Sequence, residues 1–412
     1  MRRTLSALVA CLFLAVLSID AEAAPTSNAV RDVMYVGNNW DGTADVVDAR
    51  TYQRVKRINV IPDKDRRLAE IYADPVRLAF YLAIRQQIGE GHDQYVDDMF
   101  SSRDGKLLAV SRPSFADVVG IDLTSGEIVW RYALHGQRAD HMALSPDGAR
   151  LLVSDSTANH VDEIDLGSGR SERSFPSGDT PHESNYSRDG SRIFHASIGR
   201  IYTPTDPSTF CPFTDPTKGD QRFQIVDAES FTILKQWDIG AKLKEAGFSC
   251  MSSAVRPMAI SPDERTAYLQ ISFFHGYVVF DLVEGRVENV VSLPMSDHAR
   301  SLRKDQYVLN SAHHGLAISG AGDQLCVAGT MDDYVGLVNI ARPSDREIFE
   351  LPHIGDRPYW ATNGPGDNQC WVSIAGDDRV NVYDYATRRQ VGSVVVGDHP
   401  QRIRPGVIFS RS

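Results

Sequence analysis

One recurring unit constrains this chain more than anything else. It runs as an apolar stretch, a Ser-x-Asp-Gly turn or a degraded copy, a second apolar stretch, a polar loop, an alternating strand ending in Asp, a turn and a fourth strand. The clearest copy is His-Met-Ala-Leu-Ser-Pro-Asp-Gly at 141–148, with further strands at 150–154, 161–165 and 171–175. Asp104, Asp147, Asp189 and Asp263 mark the first turn in four copies, and Ala321 and Pro365 hold that place in two more, at spacings of 43, 42, 74, 58 and 44. A four-stranded unit of about 40–45 residues is the signature of a propeller blade.

The residue closing the third strand counts the blades independently. Asp48, Asp122, Asp165, Asp227, Asp281, Asn339 and Asp384 give seven. An Asp or Asn oxygen there accepts a backbone N–H two residues on and shapes the tight turn, so these carboxylates are read as structural. Only six first strands precede them, and a spare strand-like segment, 399–409, follows the last blade. The expectation is an all-β, seven-bladed β-propeller of four-stranded blades, closed by the C-terminal segment supplying the inner strand of blade 1.

Arg2 and Arg3, an apolar run over 5–17 and Ala21-Glu22-Ala23 predict a cleaved signal peptide at 1–23 and a secreted or periplasmic propeller domain over 24–412. No other apolar run approaches the ~20 residues of a membrane span. With 42% hydrophobic residues the chain can build a core, and a net charge of −11 without a basic run argues against a nucleic-acid partner.

Tyr35-Val-Gly-Asn-Asn39 followed by Asp45-Val-Val-Asp48, with the Ser-Pro-Asp turns at Ser145 and Ser261, resembles the YVTN-repeat β-propeller family. The resemblance covers nearly the whole domain. It implies the seven-bladed fold; related propellers include cell-surface repeat proteins, lactonases, polysaccharide lyases and metalloenzymes. Fold does not carry function.

The long excursions are 61–94, 201–221, 240–255 and 294–312, and strand polarity puts all four on one face. Long loops gathered on one side of a rigid scaffold build binding sites. The first is expected to carry a helical insertion at 63–91, capped by Asp74 with Pro75 in its first turn and an apolar stripe of Val76, Phe80, Ala83, Ile84 and Ile88. A Cys211–Cys250 bridge would pin two of the loops. Cys326 and Cys370, taken to share a register, are expected to be buried thiols.

Each inner strand starts at that face with residues unusual for a core strand: Asp97 and Asp98, Asp140 and His141, His182 and Glu183, Arg256, His313 and His314, Arg357 with Tyr359, and His399. Two chemistries fit such a funnel. His141, His182, His314 and His399 could hold a divalent metal, with a nearby carboxylate assisting a bound water. Alternatively His141, His182, His314 and Tyr359 act as acid and base, with Glu183, while Arg256 and Arg357 bind a substrate carboxylate. Asp97, Asp98, Asp140, His313, His399 and Trp40 are read as ligand-binding, Trp40 by stacking on a sugar or aromatic ring. The function expected is binding of a small molecule, metal or glycan in the funnel. A lyase, hydrolase or lactonase using the same residues and a cell-envelope interaction module are the alternatives. Trp130, Trp237 and Trp371 are read as packing between blades, and His195 and His275 as structural.

Overall fold

A computed structural model describes residues 29–200 and 217–410. The segment expected to be a signal peptide, 1–23, and the greater part of the second excursion fall outside the described residues. Among the described residues no helix is long and apolar enough to cross a membrane.

Seven four-stranded antiparallel sheets form the ring. Blade 1 closes it: its inner strand, Pro400–Ser410, pairs with Ala29–Asn38, from Ala29 opposite Ser410 to Asn38 opposite Pro400. The Tyr35 hydroxyl donates to the Val407 carbonyl at 2.8 Å across this seam. The inner strands of blades 2 to 7 are Met99–Ser101, Ala139–Leu144, Pro181–Tyr186, Val255–Ile260, Leu316–Ile318 and Pro358–Asn363.

The seven third-strand residues work through turn chemistry. Each accepts the backbone N–H three residues on, at 2.6–3.0 Å, from Thr51, Ser125, Ser168, Ser230, Glu284, Arg342 and Thr387. Middle strands are buried on both faces because each is sandwiched between neighbouring blades. Trp130 fills one such seam and lies so close to Gly120 that a Cβ there would sit 2.2 Å from the indole.

Cys326 and Cys370 are joined in a disulfide, which corrects the expectation of two thiols. Cys326 pairs with Leu337, two residues before its turn residue Asn339, whereas Cys370 pairs with Tyr383, one residue before Asp384. This one-residue offset flips one side chain to the opposite sheet face, so the two meet across the seam. Cys250 is also disulfide-bonded; Cys211 lies outside the described residues.

The first excursion folds as two helices, Lys64–Ala73 and Pro75–Gln87, with Asp74 accepting from the Val76 and Arg77 N–H groups. Its buried face is Tyr81, Ile84 and Ile88, whereas Val76 and Phe80 are exposed. Asp93 sets that rotation by accepting from Arg85 at 2.6 and 2.8 Å and from Tyr95 at 2.8 Å, while Arg85 also donates to the Tyr81 hydroxyl at 3.1 Å.

Candidate functional site

The inner strands are irregular at one level of the channel. Register shifts interrupt the pairing between Ala139 and Met142, Pro181 and Ser184, Val255 and Met258, Pro358 and Trp360, and opposite Pro400 at Val36–Asn38. In blades 2 and 6 the regular strand begins only after Asp98 and Gly315. A bulge re-aims successive side chains. The level where pairing lapses is the level of a cavity of about 200 Å³.

Its wall contains Asp97, Asp140, His141, His182, Arg256, His314 and Tyr359 from the expected ring. Gln87 and Ile88 of the first excursion and Tyr307, Leu309 and Asn310 of the fourth close it from above. Arg138, Gln401 and Arg402 also line it and were missed in the sequence. Strand Pro400–Ser410 lacks the Ser-x-Asp-Gly turn used to set register, but aligning Pro400 with Pro181 and Pro358 would have placed Gln401 and Arg402 in the ring.

Arg402 is 2% exposed and packs over the Trp360 ring at 4.1 Å. It donates to His141 Nε2 and lies 3.7 Å from Asp97 Oδ1, while its Nε and Nη1 have no hydrogen-bond partner. Asp97 Oδ2, His182 Nδ1 and His314 Nδ1 are likewise buried and unpartnered. Asp140 is satisfied, accepting from Arg138 and from Ser156 Oγ at 2.9 Å. The rings of His141 and His182 are 4.0 Å apart, and His314 stacks on Tyr359 at 4.3 Å.

Burial, reinforced by nearby guanidinium charge, holds His141, His182 and His314 well below the usual histidine range, so all three are neutral. Burial pushes Asp97 upward against the pull of Arg402, and raises Tyr359. These neutral imidazoles do not form a metal-ligand set. Among the described residues, the groups whose donor atoms lie within 4.8 Å of one another are Asp97–Asp140–His141, Asp155–His160–Asp162 and His275–His313–Asp332. In the first of these, Arg402 already occupies the His141 Nε2 lone pair.

The remaining expected residues stand elsewhere. Asp98 and Glu183 lie below the cavity: Asp98 pairs with Arg404 at 2.7 and 2.8 Å, and Glu183 accepts from the Met258 N–H at 2.8 Å. Arg357 and His399 precede Pro358 and Pro400 with φ of 51° and 55°. Their N–H groups are held by Asp333 and Asp378, each at 2.9 Å, in the outer loop of the preceding sheet pair. Arg357 then reaches Glu90 at 2.6 Å, on the rim. His399 stacks at 3.8 Å on Trp40, whose other face is covered by His92 at 3.9 Å. Both indole faces are therefore occupied, leaving none for a sugar. His313 hydrogen-bonds Asp332 at 2.9 Å in a separate cluster.

No protein-family model matches the chain, and no curated protein matches it in sequence. In structure the chain is similar to hydrazine synthase of Kuenenia stuttgartiensis, with a TM-score of 0.54 and 15% identity, over 77% of this chain and 96% of that one. A likeness at that identity shows the fold alone.

Proposed function

We propose that this chain is an exported propeller protein that binds a small hydroxy acid or sugar acid in the central cavity. The observation that carries the reading is the set of buried polar atoms left unpartnered there: two guanidinium nitrogens of Arg402 and one oxygen of Asp97. An unsatisfied buried donor costs about 1–3 kcal/mol, more when charged. Such atoms are retained where a ligand satisfies them. Arg402 supplies unpartnered charged N–H donors for a carboxylate, and Asp97 Oδ2 accepts from a hydroxyl. The disulfide between Cys326 and Cys370 and the N-terminal signal pattern support an oxidising compartment.

A second reading, acid–base catalysis on the same ligand, is favoured by the raised Asp97 beside three neutral imidazoles. A carboxyl raised to about 7 is matched to proton transfer near neutral pH, and neutral imidazoles beside it can donate hydrogen bonds to developing charge. The YVTN resemblance is compatible with either role.

Calorimetric titration with galacturonate against galactose tests the binding reading. Galacturonate is expected to bind, galactose not, and Arg402→Gln to weaken binding by about 10–100-fold, the loss of one charge-assisted pair. Equal binding of acid and neutral sugar, or an Arg402→Gln variant indistinguishable from the parent, would refute it. Accumulation of an unsaturated ultraviolet-absorbing product from an oligogalacturonate would select the catalytic reading.

A further inference from the structure

A second cluster lies away from the central cavity, under the fourth excursion. His275 comes from the turn before the third strand of blade 5, Gly276–Asp281. His313 precedes the inner strand of blade 6, and Asp332 lies in the turn between Gln324–Gly329 and Tyr334–Asn339. His275 Nδ1 is 2.6 Å and His313 Nε2 2.9 Å from the same oxygen, Asp332 Oδ2, and the Tyr334 hydroxyl is 3.3 Å from His313 Nε2. The side chains of His313 and Asp332 are fully buried.

Counting hydrogens at the outer partners shows what belongs at the centre. Tyr307 has one hydroxyl hydrogen, and it donates to the Ala299 carbonyl at 3.2 Å. The contact of 3.0 Å from His275 Nε2 to the Tyr307 oxygen is then made by an Nε2–H. In that tautomer a neutral His275 turns its Nδ1 lone pair towards a carboxylate oxygen 2.6 Å away, and either a proton on Nδ1 or a metal ion in the gap relieves the contact. The other carboxylate oxygen, Oδ1, is engaged by the Ser296 N–H at 2.7 Å, so Asp332 has only Oδ2 to offer. His313 Nδ1 has no partner, so a proton moved there from Nε2 displaces no other contact, and the Nε2–H bond to Asp332 is exchanged for a metal bond from the freed Nε2 lone pair.

We propose that His275 Nδ1, His313 Nε2 and Asp332 Oδ2 bind a divalent transition-metal ion, zinc by ligand type, with the Tyr334 hydroxyl or a water completing four-coordination. Tetrahedral Zn–N and Zn–O bonds of about 2.0–2.2 Å set neighbouring ligand atoms about 3.4 Å apart, so the His313–Asp332 contact opens by about 0.5 Å and the His275–Asp332 contact by about 0.8 Å on binding. Tyr307 and Ser296 orient the ligands from the second layer, as carbonyl-linked partners do in metal sites. Because Ser296, Ala299 and Tyr307 all belong to the fourth excursion, the ion clamps that roof of the central cavity onto blades 5 and 6.

The test is zinc stoichiometry and affinity on the full chain after chelation and dialysis, read by elemental analysis and competition with a chromophoric chelator. About one zinc per chain is expected, with a lower melting temperature after chelation. Asp332→Asn is expected to weaken zinc at least 100-fold, and Tyr307→Phe, which removes only the outer partner, about 10–100-fold. Asp97→Asn, in the central cavity, is expected to leave zinc unchanged, which separates this site from the ligand reading above. Chelated protein that takes up no zinc would mean that a proton fills the gap and would overturn the proposal. Zinc binding lost in Asp97→Asn but kept in Tyr307→Phe would also overturn it. Tyr307→Phe decides the matter should Asp332→Asn not fold.

Discussion

Asp97 and Asp98 are neighbours in the chain and equally buried, yet they live in opposite conditions. Asp98 accepts from Arg404 Nε and Nη2 and from the Met99 and Met142 N–H groups. Asp97 Oδ2 accepts from nothing. The same contrast separates Arg404 from Arg402, and Glu183 from His182. Trp360 divides the two levels, with Arg402 at 4.1 Å and Arg404 at 5.0 Å from its ring. Below it, polar groups strap one inner strand to the next: Asp98 reaches Met142 of blade 3, and Glu183 reaches Met258 of blade 5. Glu183 and Arg404 line a cavity of their own with their charged groups paired, whereas above Trp360 Arg402 and Asp97 face theirs with polar atoms unpartnered. A buried polar residue is thus uninformative until its partners are counted; the saturated level holds the ring and the unsaturated level is available to a ligand.

The sharpest way to break this contrast is to truncate one arginine from each level. Arg404→Ala strands Asp98 as an unpaired buried carboxylate and is expected to cost about 3–5 kcal/mol in urea denaturation. Arg402→Ala leaves His141 neutral and removes a charge 3.7 Å from Asp97, a carboxyl that burial already favours protonated, so it is expected to cost less than half as much. Equal losses would mean that the two levels share one structural role.

Glu183 offers a pH-dependent version. Burial raises its carboxyl to about 7, against the pull of Arg404. The folded state therefore favours the protonated form, so the contribution of Glu183 to stability is expected to fall as pH climbs from about 4.5 to 7 and then level off. Over that window the loss is on the order of 3 kcal/mol. Glu183→Gln removes the titrating group without removing its bulk, so the gap in denaturation midpoint between variant and wild type is expected to widen in favour of the variant from pH 5 to pH 8.

How much of this was legible follows from where the repeat speaks. The turn residues recur because every blade needs the same backbone N–H groups capped, so seven blades and the ring closure could be read from Asp48 through Asp384. The funnel residues could be placed by counting back from the first turn, and seven of them do line the cavity. Counting back failed where the repeat lapses: Arg402 sits in a strand without that turn. It also failed where a bulge or a left-handed residue rotates the chain, as at Arg357 and His399. The Cys326–Cys370 bond depended on a one-residue offset, finer than the repeat resolves. His275 was read as bland because its partners come from 32 and 57 residues away.

The imidazoles act with the opposite sign. His141, His182 and His314 are held neutral in the fold, so the unfolded chain binds protons that the folded one refuses once pH drops below about 6.5. Stability is expected to fall in that direction by about 1.4 kcal/mol per pH unit for each depressed group. His182→Gln should make the acid limb of a stability–pH curve shallower by one proton.

The least perturbing change compares the two adjacent carboxylates directly. Asp97→Asn removes a charge that burial already disfavours and keeps an oxygen able to accept from a ligand hydroxyl, so stability at pH 8 is expected to hold or rise. Asp98→Asn swaps an acceptor-only group for one that presents N–H to Arg404, and is expected to destabilise at the same pH. Paired melting curves of the two variants measure how far a single step along the backbone separates a strut from a binding group. Matching curves would show that the orphaned oxygen of Asp97 is structural after all, and Arg402 would lose its counterpart for a hydroxy acid.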